Sequence, residues 1–186
     1  SSGWAVWLPD FLERYDPDPL RYYLTSIMPE TSDSDFTWNG FLLANNNELV
    51  ATFGNLIHRV LTLTTRNFDN AVPEPGDPGP EENAALEACD TALTDVARHL
   101  AARNFREGLR AVMVLAQHGN RYIDGRAPWK QIKEDREAAA TTLWTALNIV
   151  ETLRTVAYPY LPFSTQTLHE LLGHDGDVLS SGWQRQ

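Results

Sequence analysis

The stretch NFREGLRAVMVLAQHGNRYIDGRAPWK, residues 104–130, decides how the chain is read. Its apolar residues Phe105, Leu109, Val112, Met113, Leu115 and Ala116 return every three to four positions, the period of a helix with one face turned inward. Asn104 stands just ahead of them and suits an N-cap, and Tyr122 lies near the far end. Gly125 to Trp129 then reads as a turn that interrupts the period.

The same period extends on both sides. Thr37 suits the N-cap of a long helix to about Asn67, carrying Phe41, Leu42, Leu49, Phe53, Leu56, Ile57, Val60, Leu61 and Leu63. Gly54 in its middle costs about 1 kcal/mol against Ala, which a close helix–helix contact would justify. Pro73 to Pro80 is a Pro/Gly-rich linker, and Pro80, Glu81 and Glu82 open the next helix, marked by Leu86, Leu93, Val96, Ala97 and Leu100. A further helix runs from about Arg136 to Ala157, stopped by Pro159 and Pro162, and a short one covers Thr165 to Leu172, closed by Gly173. Upstream, residues 1–15 read as irregular and aromatic-rich, with Trp4, Trp7 and Phe11. Asp16-Pro17-Asp18-Pro19 reads as an Asp cap followed by Pro at the first helical position. Leu20, Tyr23, Leu24 and Ile27 follow at helical spacing, and Thr31 to Asp35 is a polar loop. No segment has period two. The expected fold is all-α, a bundle of about five main helices with short connections.

The chain has 186 residues, of which 42% are apolar, enough for one core. No apolar run approaches the roughly 20 residues of a membrane span. The start, Ser-Ser-Gly-Trp, lacks a Met and a signal pattern, so a piece of a longer cytoplasmic protein is expected. One cysteine, Cys89, excludes an internal disulfide and suits a small residue packed in a helix. The net charge of −10 argues against a nucleic-acid partner, but its distribution is uneven. Arg98 to Arg136 holds nine Lys/Arg against four Asp/Glu, and the remainder six against twenty-one. An acidic protein can therefore carry one basic face, although charges on helices also segregate by chance.

Catalytic chemistry finds little support. His169-Glu170-Leu171-Leu172-Gly173-His174 superficially matches the zinc-protease helix, but a five-residue step leaves the histidines about 140° apart, and Gly173 ends the helix. No metal site is expected. No Glu-x-x-His pair recurs, and no Gly-rich phosphate loop precedes a helix. Two segments stand out instead. Asn55 and Arg59 lie four apart, on one helix face, where the bland reading is a solvated pair. Trp129 lies between Arg126 and Lys130 and after Pro128, which rigidifies the turn. A Trp so placed suits base stacking; it equally suits a plug at the end of the bundle.

These residues carry a resemblance. Phe11-Leu12-Glu13-Arg14-Tyr15-Asp16-Pro17-Asp18-Pro19-Leu20, Asp33-Ser34-Asp35-Phe36-Thr37-Trp38, Asn47-Glu48-Leu49 with Gly54-Asn55-Leu56 and Arg59, and Asn120-Arg121-Tyr122-Ile123-Asp124 followed by Ala127-Pro128-Trp129 occur in that order. In this the chain resembles methionyl-tRNA synthetases, class I aminoacyl-tRNA synthetases, along nearly its whole length. The resemblance implies residues 1–36 as a linking, stem-contact segment after a catalytic domain, and residues 37–186 as the α-helical anticodon-binding domain. It implies that Trp129, preceded by Pro128, stacks on the first anticodon base, a cytosine, while Asn55 and Arg59 help to read the anticodon. The partners implied are the CAU anticodon loop of tRNA(Met) and the enzyme's own catalytic domain, with no DNA and no membrane. Charge and proximity add Arg121, Arg126, Lys130 and Lys133 as phosphate contacts. The histidine-containing catalytic signature is missing, so no catalytic residue and no cofactor is expected in this chain, ATP and methionine binding elsewhere. The alternatives are the corresponding domain of a leucine, isoleucine, valine or cysteine enzyme, or a helical protein-interaction scaffold. The scaffold reading predicts a buried Trp129.

Overall fold

Helical patterning is realised along residues 6–29 and 34–184, which the computed structural model describes. In chain order the helices are α1 (Leu8–Leu12), α2 (Pro17–Ser26), α3 (Trp38–Leu43), a π-helical segment (Ala44–Gly54), α4 (Asn55–Asn67), α5 (Pro80–Ala101), α6 (Phe105–Arg126), α7 (Pro128–Glu134), α8 (Arg136–Ala157) and α9 (Pro162–Leu171), followed by a 3-10 turn (Val178–Ser181). Among the described residues there is no strand, and no helix is long and apolar enough to cross a membrane. The fold is all-α. Trp4 and most of the loop expected at Thr31–Asp35 lie outside the described residues.

The core is built around α8. From Ala139 onward nearly every side of it is buried, including Leu143, Ile149, Val150, Leu153 and Val156. A helix apolar on all sides belongs in the centre, and α4, α5, α6, α7 and α9 all pack on it. Two of its buried threonines hide their hydroxyls locally, whereas the Thr142 hydroxyl is buried without a partner among the described residues. Thr145 donates to the Thr141 carbonyl at 2.9 Å and Thr152 to that of Asn148 at 2.8 Å, so neither is left unpaired.

α5 and α6 form an antiparallel pair joined at Ala102–Asn104, where Arg103 takes φ +61°. Asn104 stands at the predicted N-cap, but only its backbone carbonyl is used, accepting from Gly108 N at 3.0 Å. Asp16 likewise makes no side-chain cap for α2. Asp18 does that work across the fold: its Oδ2 accepts from Ser164 N at 2.6 Å, in the first turn of α9. A carboxylate there meets free N–H groups and the positive end of the helix dipole.

The predicted helix over 37–67 is continuous but not uniform. Thr37 caps it, accepting from Gly40 N at 3.0 Å. Between Ala44 and Gly54 the winding widens, and Thr52 Oγ1 donates to the Asn47 carbonyl five residues back at 2.9 Å. This corrects the reason for Gly54. A Cβ there would lie 3.1 Å from the Leu49 carbonyl of its own helix and meet no neighbouring helix. The close helix crossing is at Gly119 on α6, where a Cβ would lie 2.5 Å from Leu56 Cδ2 and 3.1 Å from Ile149 Cγ2.

Three boundaries also differ from expectation. Residues 1–15 are not wholly irregular, since Leu8–Leu12 form a helix with Pro9 in its first turn. α9 starts at Pro162 rather than Thr165. The turn expected over Gly125–Trp129 narrows to Ala127, with helix on both sides. Near the N-terminus Phe11, Tyr23, Phe36, Trp38 and Phe41 pack together, and Arg21 Nη2 ties α2 to the Pro159 carbonyl at 2.9 Å.

Candidate nucleic-acid interface

The placement of Trp129 follows from its two predecessors. Proline disfavours the right-handed helical region for the residue before it, and Ala127 adopts φ +47°, a left-handed conformation costly for a residue with a Cβ. Pro128 then starts α7 and is buried. Lys130 N closes the first turn onto the Ala127 carbonyl at 2.8 Å. Trp129 therefore projects from a short, fixed helix, and it is 38% exposed. A plug at the end of the bundle would be buried; this ring keeps part of its surface open.

α4 brings its residues alongside. The Arg59 guanidinium lies 5.3 Å from the Trp129 ring centroid, and Arg59 Nη2 is 2.7 Å from Asp124 Oδ1. Asn55, one turn earlier, is exposed. The π-helical segment that leads into α4 is tied to α6 by Asn120, whose Nδ2 donates to the Thr52 carbonyl at 2.9 Å and to the Ala116 carbonyl at 3.0 Å. Arg59 and Trp129, 70 positions apart, thus meet at one site with Asp124 between their helices. The Arg59–Asp124 pair is partly solvated, with side chains 25% and 63% exposed, so it orients Arg59 without locking it. Asp124 was assigned no role from sequence, because nothing local links positions 59 and 124. Asn55 also borders an apolar groove of about 680 Å³ lined by Leu49, Phe53, Leu61 and Leu168.

The cations predicted around the site differ in setting. Arg121, Lys130 and Lys133 are exposed. Arg126 is engaged by two carboxylates, Glu81 at 2.6 Å and the buried Glu82 at 3.0 Å. Tyr122 also donates to Glu82 at 3.0 Å, and burial pushes its phenol above the ordinary range. This cluster ties the end of α6 to the start of α5.

The other candidate chemistry is structural. Cys89 is buried in α5. His169 and His174 do meet, with rings stacked at 4.9 Å, because Gly173 at φ +86° folds the chain back. His169 Nδ1 faces the buried Arg154 guanidinium at 3.0 Å, and His174 pairs with Glu151. Among the described residues no group of three or more His, Cys, Asp or Glu could hold a metal ion.

Known proteins are similar to this chain in sequence and fold. A family described as the anticodon binding domain of methionyl tRNA ligase matches residues 72–185, and the class I tRNA synthetases (M) match residues 1–61. Methionine–tRNA ligase of Thermomicrobium roseum is 49% identical over 94% of this chain, and that of Roseiflexus sp. 46% identical over 96%. The chain spans about 30% of the length of these curated relatives. Methionyl-tRNA synthetase of Mycobacterium tuberculosis bound by methionyl-adenylate superposes with a TM-score of 0.89 at 27% identity, covering 94% of this chain and 35% of that one. Its apo form gives 0.87 at 26% identity, covering 91% and 35%. The anticodon-binding match covers α6 and α7 with Asp124 and Trp129, while Asn55 and Arg59 on α4 fall within the class I synthetase match, and the chain belongs to the anticodon-binding domains of methionyl-tRNA ligases.

Proposed function

We propose that this chain recognises the CAU anticodon of tRNA(Met) within a longer methionine–tRNA ligase. The observation that carries the proposal is the half-open Trp129 ring beside the Arg59 guanidinium. A splayed cytosine stacks on the indole, worth about 1–3 kcal/mol, but stacking tolerates any base. Selectivity comes from the edge. Arg59 can only donate, which suits cytosine O2 and N3; the Asn55 amide oxygen accepts from cytosine N4. Uracil reverses the pattern at N3 and position 4 and forfeits these hydrogen bonds, a cost of about 0.5–1.5 kcal/mol each. Five donors let Arg59 hold both the base and Asp124.

Arg121, Lys130 and Lys133 contact phosphates around the loop. Arg126 is the fourth candidate, and it would trade Glu81 for a phosphate. ATP-dependent attachment of methionine takes place outside this chain, which binds neither ATP nor methionine and supplies no catalytic group. The remaining enzyme covers the apolar face of α1 and α3, where Trp7, Leu8, Leu12, Leu42 and Leu43 are exposed within the segment matching class I synthetases. Residues 1–36 then link that core to the helical domain, in the cytoplasm.

The test is binding of the protein to a CAU anticodon stem-loop and to one with uracil as the first base. The parent should prefer CAU, and Asn55→Ala should lose the preference while retaining binding. Equal binding of both loops by the parent would refute base reading at this site.

A further inference from the structure

The outward face of α6 is not used by the core and, apart from Arg121, takes no part in the Trp129 site. Its exposed positions Arg106, Arg110, Val114, Gln117 and Arg121 are spaced four, four, three and four apart, so they form one stripe. At 1.5 Å per residue this stripe runs about 22 Å. One end reaches Arg121, a turn from Asp124 and Arg59. The other end lies beside a polar cleft of about 580 Å³ bordered by Tyr22 of α2 and Arg106, Arg110 and Met113 of α6. Two carboxylates stand there: Glu48 is taken by the Tyr22 hydroxyl, and Glu107 lies 3.8 Å from Arg110.

The neighbouring helix makes the sign of this stripe informative. α5, packed antiparallel to α6, exposes Glu81, Glu87 and Asp90, with Arg98 only near its far end. Two adjacent helices of an acidic chain thus present opposite charge, so a polyanion is drawn to one and repelled by the other. The length also matters, because a loop-binding site needs no cation about 22 Å away along a helix. Something extended and regularly anionic fits it: the backbone of a base-paired stem continuing from the loop.

We propose that the outer stripe of α6, through Arg106, Arg110, Gln117 and Arg121, is a track for the sugar–phosphate backbone of the anticodon stem. This rests on the anticodon reading for the identity of the RNA, and it adds Arg106, Arg110 and Gln117 to the interface. The arginines neutralise phosphates, Gln117 hydrogen-bonds a 2′-hydroxyl, and Val114 leaves room for the ribose to approach. These contacts carry no sequence information. They set the angle at which the stem leaves the loop site.

The experiment compares the parent, Arg106→Gln/Arg110→Gln, Arg106→Lys/Arg110→Lys and Trp129→Ala. Each is titrated with the CAU stem-loop and with a single-stranded RNA carrying the loop sequence alone, across a salt series. Removing two phosphate contacts should lower the slope of log K against log salt by about 1.8, so the parent's advantage over the Gln variant shrinks about twelvefold between about 50 and 200 mM salt. The Lys variant should retain the parent's slope, and the single-stranded RNA should bind the Gln variant as it binds the parent. A Gln variant with the parent's stem-loop affinity and slope would overturn the track, as would equal losses on both RNAs. Trp129→Ala reads the anticodon proposal separately: if it alone loses binding, the loop site stands and the track falls. All substitutions are at exposed positions, and a matching circular dichroism melt establishes that each variant is folded.

Discussion

Gly119→Ala probes the closest helix crossing behind the interface. The added Cβ would stand 2.5 Å from Leu56 Cδ2 and 3.1 Å from Ile149 Cγ2. Leu56 and Ile149 are both fully buried, so neither can swing into solvent. Inserting one carbon into such a place forces off-rotamer side chains or a backbone shift, costing about 1–3 kcal/mol. For a chain of this size each kcal/mol lowers Tm by about 2–4 °C, so a fall of roughly 2–12 °C is expected in a thermal melt followed by far-UV circular dichroism. Leu56→Ala alone should cost about 2–5 kcal/mol by leaving a cavity. In the double variant the new methyl fills part of that cavity, so the combined loss should be smaller than the sum of the single losses. Strict additivity, or a Gly119→Ala melt equal to the parent's, would refute the crossing. Leu56 follows Asn55, so the same variant should also weaken binding of the CAU stem-loop.

Three other outcomes follow from the geometry. Glu82→Ala, which leaves the buried Tyr122 hydroxyl and Gly79 N without their acceptor while Arg126 keeps Glu81, should cost about 1–3 kcal/mol in urea unfolding. Asp124→Asn should change stability by less than about 1 kcal/mol, because its pair with Arg59 is solvated; a larger loss would mean that this pair locks the two helices. His118 has its pKa lowered, by burial first and by Arg121 second, so the unfolded chain takes up its proton at higher pH than the folded one. Stability should therefore be at its full value above the ordinary pKa of 6.5 and decline as pH falls below it, and His118→Gln should flatten that decline in melts across the acid range.

Much of the fold was legible because α5 and α6 each carry a 3.6-residue apolar period with proline or acidic residues at the start, and α8, buried nearly all round, is a long run stopped by Pro159 and Pro162. The π-helical winding was not, since Ala44–Gly54 keeps the spacing of an ordinary amphipathic helix, and only Gly54 hinted at a local constraint. Capping misled where the bonds are tertiary: Asp16 has the expected cap position, yet Asp18 caps α9 across 146 residues. The candidate site divides in the same way. Asn55 and Arg59 were visible as a helix-face pair, and Trp129 as a ring set by a proline. That Arg59 faces Trp129 depends on how α4 crosses α6, which no local pattern encodes. Asp124 was missed for that reason. The stacked His169 and His174 show the converse, a correct helical argument that the turn at Gly173 bypasses.

In the proposed complex the first anticodon base stacks on Trp129. The most direct test is the NMR spectrum of the CAU stem-loop bound to this protein, read at H5 and H6 of that cytosine, with Trp129→Ala alongside. Stacking on the indole should move both protons upfield by its ring current in the parent, and the shift should vanish in the variant. Cytosine protons that stay at their free positions in the bound complex, or that move equally in both proteins, would contradict it.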